Sequence, residues 1–341
     1  MRIVALDLIR FFAAMSVVLY HYISPDDLTH FPVLSQITDF GYLGVPLFFI
    51  ISGYVIALSA NNRSAWQFIS SRFVRLYPAL WAGIFFTVIV VTLLSDIKIS
   101  ILQILANATL LNDYMGFANI DGVYWTLKAE LKFYACMSIL LLVGVFRHYK
   151  VWLSIWMLMV VCFALFNEPF FMGWFISPEY SSFFIAGICY YLIQSKQNQT
   201  YAKGMLFSSL IMSLYNAYGQ IPHFVSDPSQ SHKILTLLII LLFYVIFFRL
   251  SEGKLTLKAN SLYTQLGALT YPLYLIHSLA GKLIIAKLSP YMPMELIVIL
   301  VITLMIFVAY LIHKYVECKV ASPLKRLLLT QSFSRKKGFK N

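Results

Sequence analysis

The stretch "LDLIRFFAAMSVVLYHY", residues 6–22, is an apolar run about as long as a bilayer core is thick, yet it carries Asp7, Arg10 and His21. A cleavable signal peptide is one reading of such an N-terminus. Against it, Asp7 and Arg10 interrupt the apolar region, and no small-x-small cleavage pattern precedes the acidic segment "SPDD" at 24–27. The stretch therefore reads as a retained first membrane helix with three ionisable side chains.

The rest of the chain extends that reading. Of its 341 residues, 60% are apolar, 16% aromatic and 12% charged, the composition of a membrane protein. Hydropathy marks ten spans, at 3–22, 41–60, 76–95, 124–146, 150–167, 179–195, 204–221, 234–250, 267–288 and 294–316. The expected fold class is an all-α, polytopic integral membrane helical bundle of about ten transmembrane helices. The segment 97–113 is short and dotted with Asn and Thr, and reads as an interfacial or re-entrant helix.

Charge sets the expected orientation. Arg63, Arg72, Arg75, Arg147, Lys150, Lys196, Lys203, Arg249, Lys254 and Lys258 fall in alternate connections, as the positive-inside rule requires if both termini are cytoplasmic. Asp26, Asp27, Asp39, Asp96, Asp113, Asp121, Glu168, Glu179, Asp227 and Glu295 fall on the other side. The net charge of +12 is thus a topology signal, and no basic stretch interleaved with aromatics points to nucleic acid. Residues 1–325 read as one transmembrane domain and 326–341 as a basic cytoplasmic tail.

An ionised group in hydrocarbon costs about 2.5–3.5 kcal/mol on insertion scales, so the intramembrane charges are the first functional candidates. Asp7 and Arg10 share a helix face and can neutralise each other. Arg10 and His21 lie eleven residues apart, on one stripe and about 16 Å apart along the axis. His21 reads either as an interfacial histidine or as a base. Glu130 can pair with Lys128 or Lys132 on its own segment, or with His21. Arg72 and Arg75 are either ordinary positive-inside residues or a fork for phosphate. Pro272 predicts a kink just before His277, which reads as a buried, satisfied histidine or a catalytic one. Tyr124 and Trp125 read as interfacial aromatics or as sugar-stacking residues. His148, His223, His232 and His313 show no metal-ligand spacing, and the four cysteines show neither zinc nor disulfide spacing.

Five segments in order carry a resemblance. They are the first helix itself, "GYLGVPLFFIISGYVI" (41–56), "FISSRFVRLYPALW" (68–81), "VYWTLKAELKFYA" (123–135) and "LGALTYPLYLIHS" (266–278). Together they resemble acyltransferase family 3, with Thr126 and Thr270 where the family commonly has Ser. The resemblance implies a multi-pass enzyme of the bacterial cytoplasmic (inner) membrane. Its expected activity is O-acylation, most commonly O-acetylation, of a sugar hydroxyl on a surface glycan or its lipid-linked precursor. The implied donor is acyl-coenzyme A, commonly acetyl-coenzyme A, with no permanently bound cofactor and with glycan-assembly proteins as possible partners.

The chemistry of O-acylation then assigns roles. His21 is the expected base and Glu130 its orienting carboxylate, while Arg10, Arg72 and Arg75 bind the donor. Asp7, Tyr124, Trp125 and His277 are supporting or substrate-contacting residues. The competing reading is a transporter or flippase for a glycan precursor, for which intramembrane charge is equally natural.

Overall fold

The computed structural model describes residues 4–23, 30–166, 172–258, 260–320, 323–324 and 326–328. All of "SPDD", Glu168, Lys325 and the tail beyond 328 lie outside the described residues. Among the described residues the structure is helical, with no strand. The helices are α1 (Val4–Tyr22), α2 (Leu34–Thr38), α3 (Gly44–Ala60), α4 (Ala65–Leu94), α5 (Ile101–Thr109), α6 (Tyr124–Leu142) and α7 (Tyr149–Phe166). They continue as α8 (Met172–Phe175), α9 (Pro178–Gln194), α10 (Gln199–Phe224), α11 (Gln230–Ser251), α12 (Ser261–Ile276), α13 (Ser278–Leu288) and α14 (Met294–Ile312). A π-helical turn, His313–Glu317, extends α14.

Helices occupy all ten expected spans, but they are not equally suited to lipid. Among the described residues, six helical runs are long and apolar enough to cross a bilayer, and the bent pair α12–α13 makes a seventh. The others fall short for visible reasons. α6 carries Lys128, Glu130 and Lys132, α9 has 17 residues, and α10 is diluted by Lys203, Asn216, Gln220 and His223. The chain is an all-α, multi-pass membrane protein; ten is the number of apolar stretches that helices occupy, and seven of these are long and apolar enough to cross unaided among the described residues. The segment read as interfacial forms the short helix α5, whose Ile101, Leu102 and Leu105 are exposed.

Local chemistry sets where these helices begin. Ser64 and Gln67 form a reciprocal capping box at α4, and Ser100, Ser229 and Asn260 accept backbone N–H groups at the starts of α5, α11 and α12. The kink expected at Pro272 falls elsewhere. α12 runs through Pro272, and the chain bends by 70° at His277, where α13 begins.

Packing centres on α3 and α9, whose apolar residues face protein on nearly every side. Glycine makes their approach possible. A Cβ on Gly53 would stand 2.1 Å from the Phe184 carbonyl oxygen, and one on Gly187 the same distance from that of Ile50. Gly44 similarly admits the Ala13 carbonyl of α1, and Gly267 on α12 admits Asp7. These contacts fix α1 between α3 and α12. Gly53→Val is expected to cost well above 1 kcal/mol, because backbone cannot move aside, and to lower the melting temperature of the detergent-solubilised protein. Gly219→Ala, which meets no atom within 4 Å, is expected to leave it unchanged or raise it.

Candidate active site

A cavity of about 470 Å³ opens among α1, α3, α4, α6 and α12. Four arginines, Arg10, Arg63, Arg72 and Arg75, line it against two carboxylates, Glu130 and Glu317. The excess of two positive charges suits an anionic ligand. Arg10, Arg72, Arg75 and both carboxylates are also tied to the bundle. Arg10 lies 3.9 Å from Asp7, and Arg75 donates to Glu317 at 2.9 Å with its guanidinium over the Tyr271 ring. Arg72 lies 5.9 Å from the ring centroids of Phe68 and Tyr134, and its Nε donates to Ser71. Glu317 also binds His313 Nδ1 at 2.6 Å, so the π-helical turn holds the carboxylate that faces Arg75.

Glu130 belongs to this cavity. Its Oε1 accepts the hydroxyls of Ser52 (2.7 Å) and Tyr134 (2.5 Å). Among the described residues, the pairing of Glu130 with His21 expected from the sequence is not made, and neither is the alternative pairing with Lys128 or Lys132. Lys128 instead binds Asp113 and Asn119, and Lys132 donates to the Gly173 carbonyl at 2.5 Å. Glu130 is drawn to hydroxyls because its own helix face meets Ser52 of α3 across the cavity.

His21 sits at the other end of α1, and its ring partner is His277, with centroids 5.2 Å apart. The break between α12 and α13 puts His277 there, fully buried. Two bonds pin the break. Tyr22 Oη donates to the His277 carbonyl at 2.7 Å, and Asp121 Oδ2 accepts the Leu279 N–H at 2.8 Å. Neither histidine lines the arginine cavity. Tyr274 stands between: it lines the cavity, bonds Thr126 through its hydroxyl, and lies 5.4 Å from the His277 ring.

The aromatic candidates part company. Tyr124 is fully buried, so its ring offers no face to a sugar or to the bilayer interface. Trp125 is half-buried and packs on Tyr180 at 4.9 Å.

Residues 3–314 match the family model of acyltransferase family 3, described as an acyltransferase domain. The chain belongs to this family. Nodulation protein 10 of Rhizobium leguminosarum bv. viciae is 28% identical over 169 residues, covering 42% of this chain and 45% of that protein. The chain is thus aligned to less than half of that relative's length. No solved structure matches it. Ser52, Tyr134 and Glu317 at the cavity, and Asp121 at the α12–α13 break, belong to the candidate site without being among the residues expected from the sequence. Tyr134 and Glu317 were accessible from spacing, as they sit four residues after Glu130 and His313. Asp121 was not, because its bond to Leu279 spans 158 residues. Asp121→Ala is expected to destabilise the protein by about 1–3 kcal/mol, since it strips acceptors from the buried N–H groups of Val123 and Leu279. Thermal unfolding in detergent checks this, with Asp121→Asn, which keeps one acceptor oxygen, losing less.

Proposed function

We propose that this protein is a membrane O-acyltransferase that moves an acyl group, most simply acetyl, from acyl-coenzyme A to a hydroxyl of a surface glycan or its lipid-linked precursor. The observation that carries the reading is the layout along α1. An arginine-rich cavity suited to a polyphosphate lies at one end, and a histidine pair lies at the other. Family membership supplies the reaction class. Placing the arginine end toward the cytoplasm, as the positive-inside pattern requires, meets the donor where it is made and leaves the histidine end for an acceptor outside. Both termini are then cytoplasmic, and the membrane is the bacterial cytoplasmic membrane.

The chemistry follows from the residues. Arg72 and Arg75 bind the donor's phosphates, with Arg10 extending positive charge inward. The acyl-bearing arm is thin enough to continue past Thr126 and Tyr274 toward His21. There an imidazole takes the acceptor's proton while the hydroxyl oxygen attacks the thioester carbonyl. The C–S bond then breaks, and the thiolate leaves with the proton from the imidazole. Glu130, held by Ser52 and Tyr134, sits on the donor's path and limits the net charge among the arginines. A transporter would need none of this, as moving a glycan precursor requires no phosphate fork aligned with an imidazole.

Two measurements test the proposal. Acyl transfer by membranes of the expressing strain, followed as thiol release from acetyl-coenzyme A, is expected to fall by about 100-fold or more in His21→Ala, the usual weight of a general base. Arg72→Ala and Arg75→Ala are each expected to raise the KM for the donor about tenfold while kcat changes little, since they remove binding shared by ground and transition states. Normal transfer by a folded His21→Ala protein would overturn the reading. Mass spectrometry of surface glycans with and without the gene identifies the acyl group and acceptor.

A further inference from the structure

Resting on the acyltransferase reading above, we propose that His277 is the positioning partner of His21. In this role its Nε2 accepts a hydrogen bond from the His21 ring and so aims and stabilises the imidazole that handles the proton.

The argument starts from an unanswered nitrogen. His277 Nδ1 lies 2.8 Å from the Tyr274 carbonyl oxygen. A carbonyl can only accept, so Nδ1 carries the hydrogen and Nε2 of the neutral ring keeps a lone pair. That nitrogen is buried and has no hydrogen-bond partner. Leaving a polar atom bare inside a protein costs about 1–3 kcal/mol, and buried groups without partners are uncommon. The cost has a structural setting. The 70° break that holds His277 is secured by Tyr22 and by Asp121, from two other elements of the fold.

What faces Nε2 is limited. The nearest titratable ring is His21, on α1. Tyr22 of α1 spends its hydroxyl on the His277 carbonyl, and Asp121 spends its oxygens on Val123 and Leu279. Lys282 of α13 is within electrostatic reach of both histidines and of Asp121. The rings stand 5.2 Å apart between centroids with a 40° tilt, and the proposed bond would form by a turn about the soft terminal torsion of His21. Hydrogen bonds of catalytic groups often close only when substrate is bound.

The step balances without a further reactant. The acceptor O–H bond breaks and its proton moves to the outward nitrogen of His21, while the oxygen joins the thioester carbon. His21, now an imidazolium, keeps its other N–H on His277 Nε2. When the C–S bond breaks, the thiolate takes the proton back from His21. His277 gains and loses no proton, and it does for His21 what a carboxylate does in a triad, with a neutral acceptor in place of a charge.

The test uses two side chains of near-equal length that differ in their acceptor. In the thiol-release assay with acetyl-coenzyme A and the strain's own envelope as acceptor, His277→Met is expected to lower kcat about 10- to 100-fold, the effect of losing a hydrogen bond to a charged group, with KM for acetyl-coenzyme A unchanged. His277→Gln places an amide oxygen near the lost nitrogen and is expected to recover most of that loss. The double variant His21→Ala, His277→Met is expected to be no slower than His21→Ala alone, because the two residues act as a unit. Wild-type kcat in His277→Met, or equal loss in Met and Gln variants, would overturn the inference. Should His277→Met fail to fold, nitrogen NMR of histidine-labelled wild-type protein decides the matter: an unprotonated His277 Nε2 supports the role, and a protonated one defeats it. A folded wild-type protein that releases no thiol would instead defeat the acyltransferase reading itself.

Discussion

Charge placed in an apolar bundle must be answered from within it, and this constraint decides which helix faces meet. Arg10 turns toward Asp7, Arg75 reaches Glu317 on the π-helical turn, and Glu130 draws hydroxyls from Ser52 and Tyr134. The first of these stays within α1, whereas Arg75–Glu317 joins α4 to the π-helical turn and Glu130–Ser52 joins α6 to α3. Once α1, α3, α4 and α6 have satisfied these groups, the polar faces surround a common space. The cavity is therefore the geometric remainder of charge compensation, and its positive excess is what the available carboxylates leave unmatched.

The same constraint works on backbone at the other end. A helix broken in the middle of a bundle exposes N–H and C=O groups that lipid cannot satisfy. Here Tyr22 and Asp121 take them up. The break is thus an ordered corner with a fully buried histidine at its apex.

Much of this was legible in the sequence. Apolar runs of bilayer length marked every long helix, because lipid imposes its thickness on composition. The Asp7–Arg10 pair followed from its spacing of three, and the shared stripe of Arg10 and His21 from the helical repeat. What the sequence hid is long-range. Glu130 was expected to orient His21, but the rotation of α6 about its axis, held in part by the Ser52 hydroxyl of α3, turns it to the arginine cavity instead. His277 read as a histidine beyond a proline kink. Its pairing with His21 depends on a bend five residues further on, secured by residues 255 and 158 positions away in the chain. Short-range spacing is visible in sequence, whereas helix rotation and the site of a break are outcomes of packing.

Tyr274, with its hydroxyl on Thr126 and Phe48 edge-on at 5.7 Å, closes the arginine cavity short of the histidines. A continuous column of water from one end of the bundle to the other would be a conduit for protons and small ions. A phenol ring filling that position leaves only a narrow flexible thread able to pass by displacing it. On the acyltransferase proposal, that ring is what would let reactants from two compartments meet while the membrane around them stays energised.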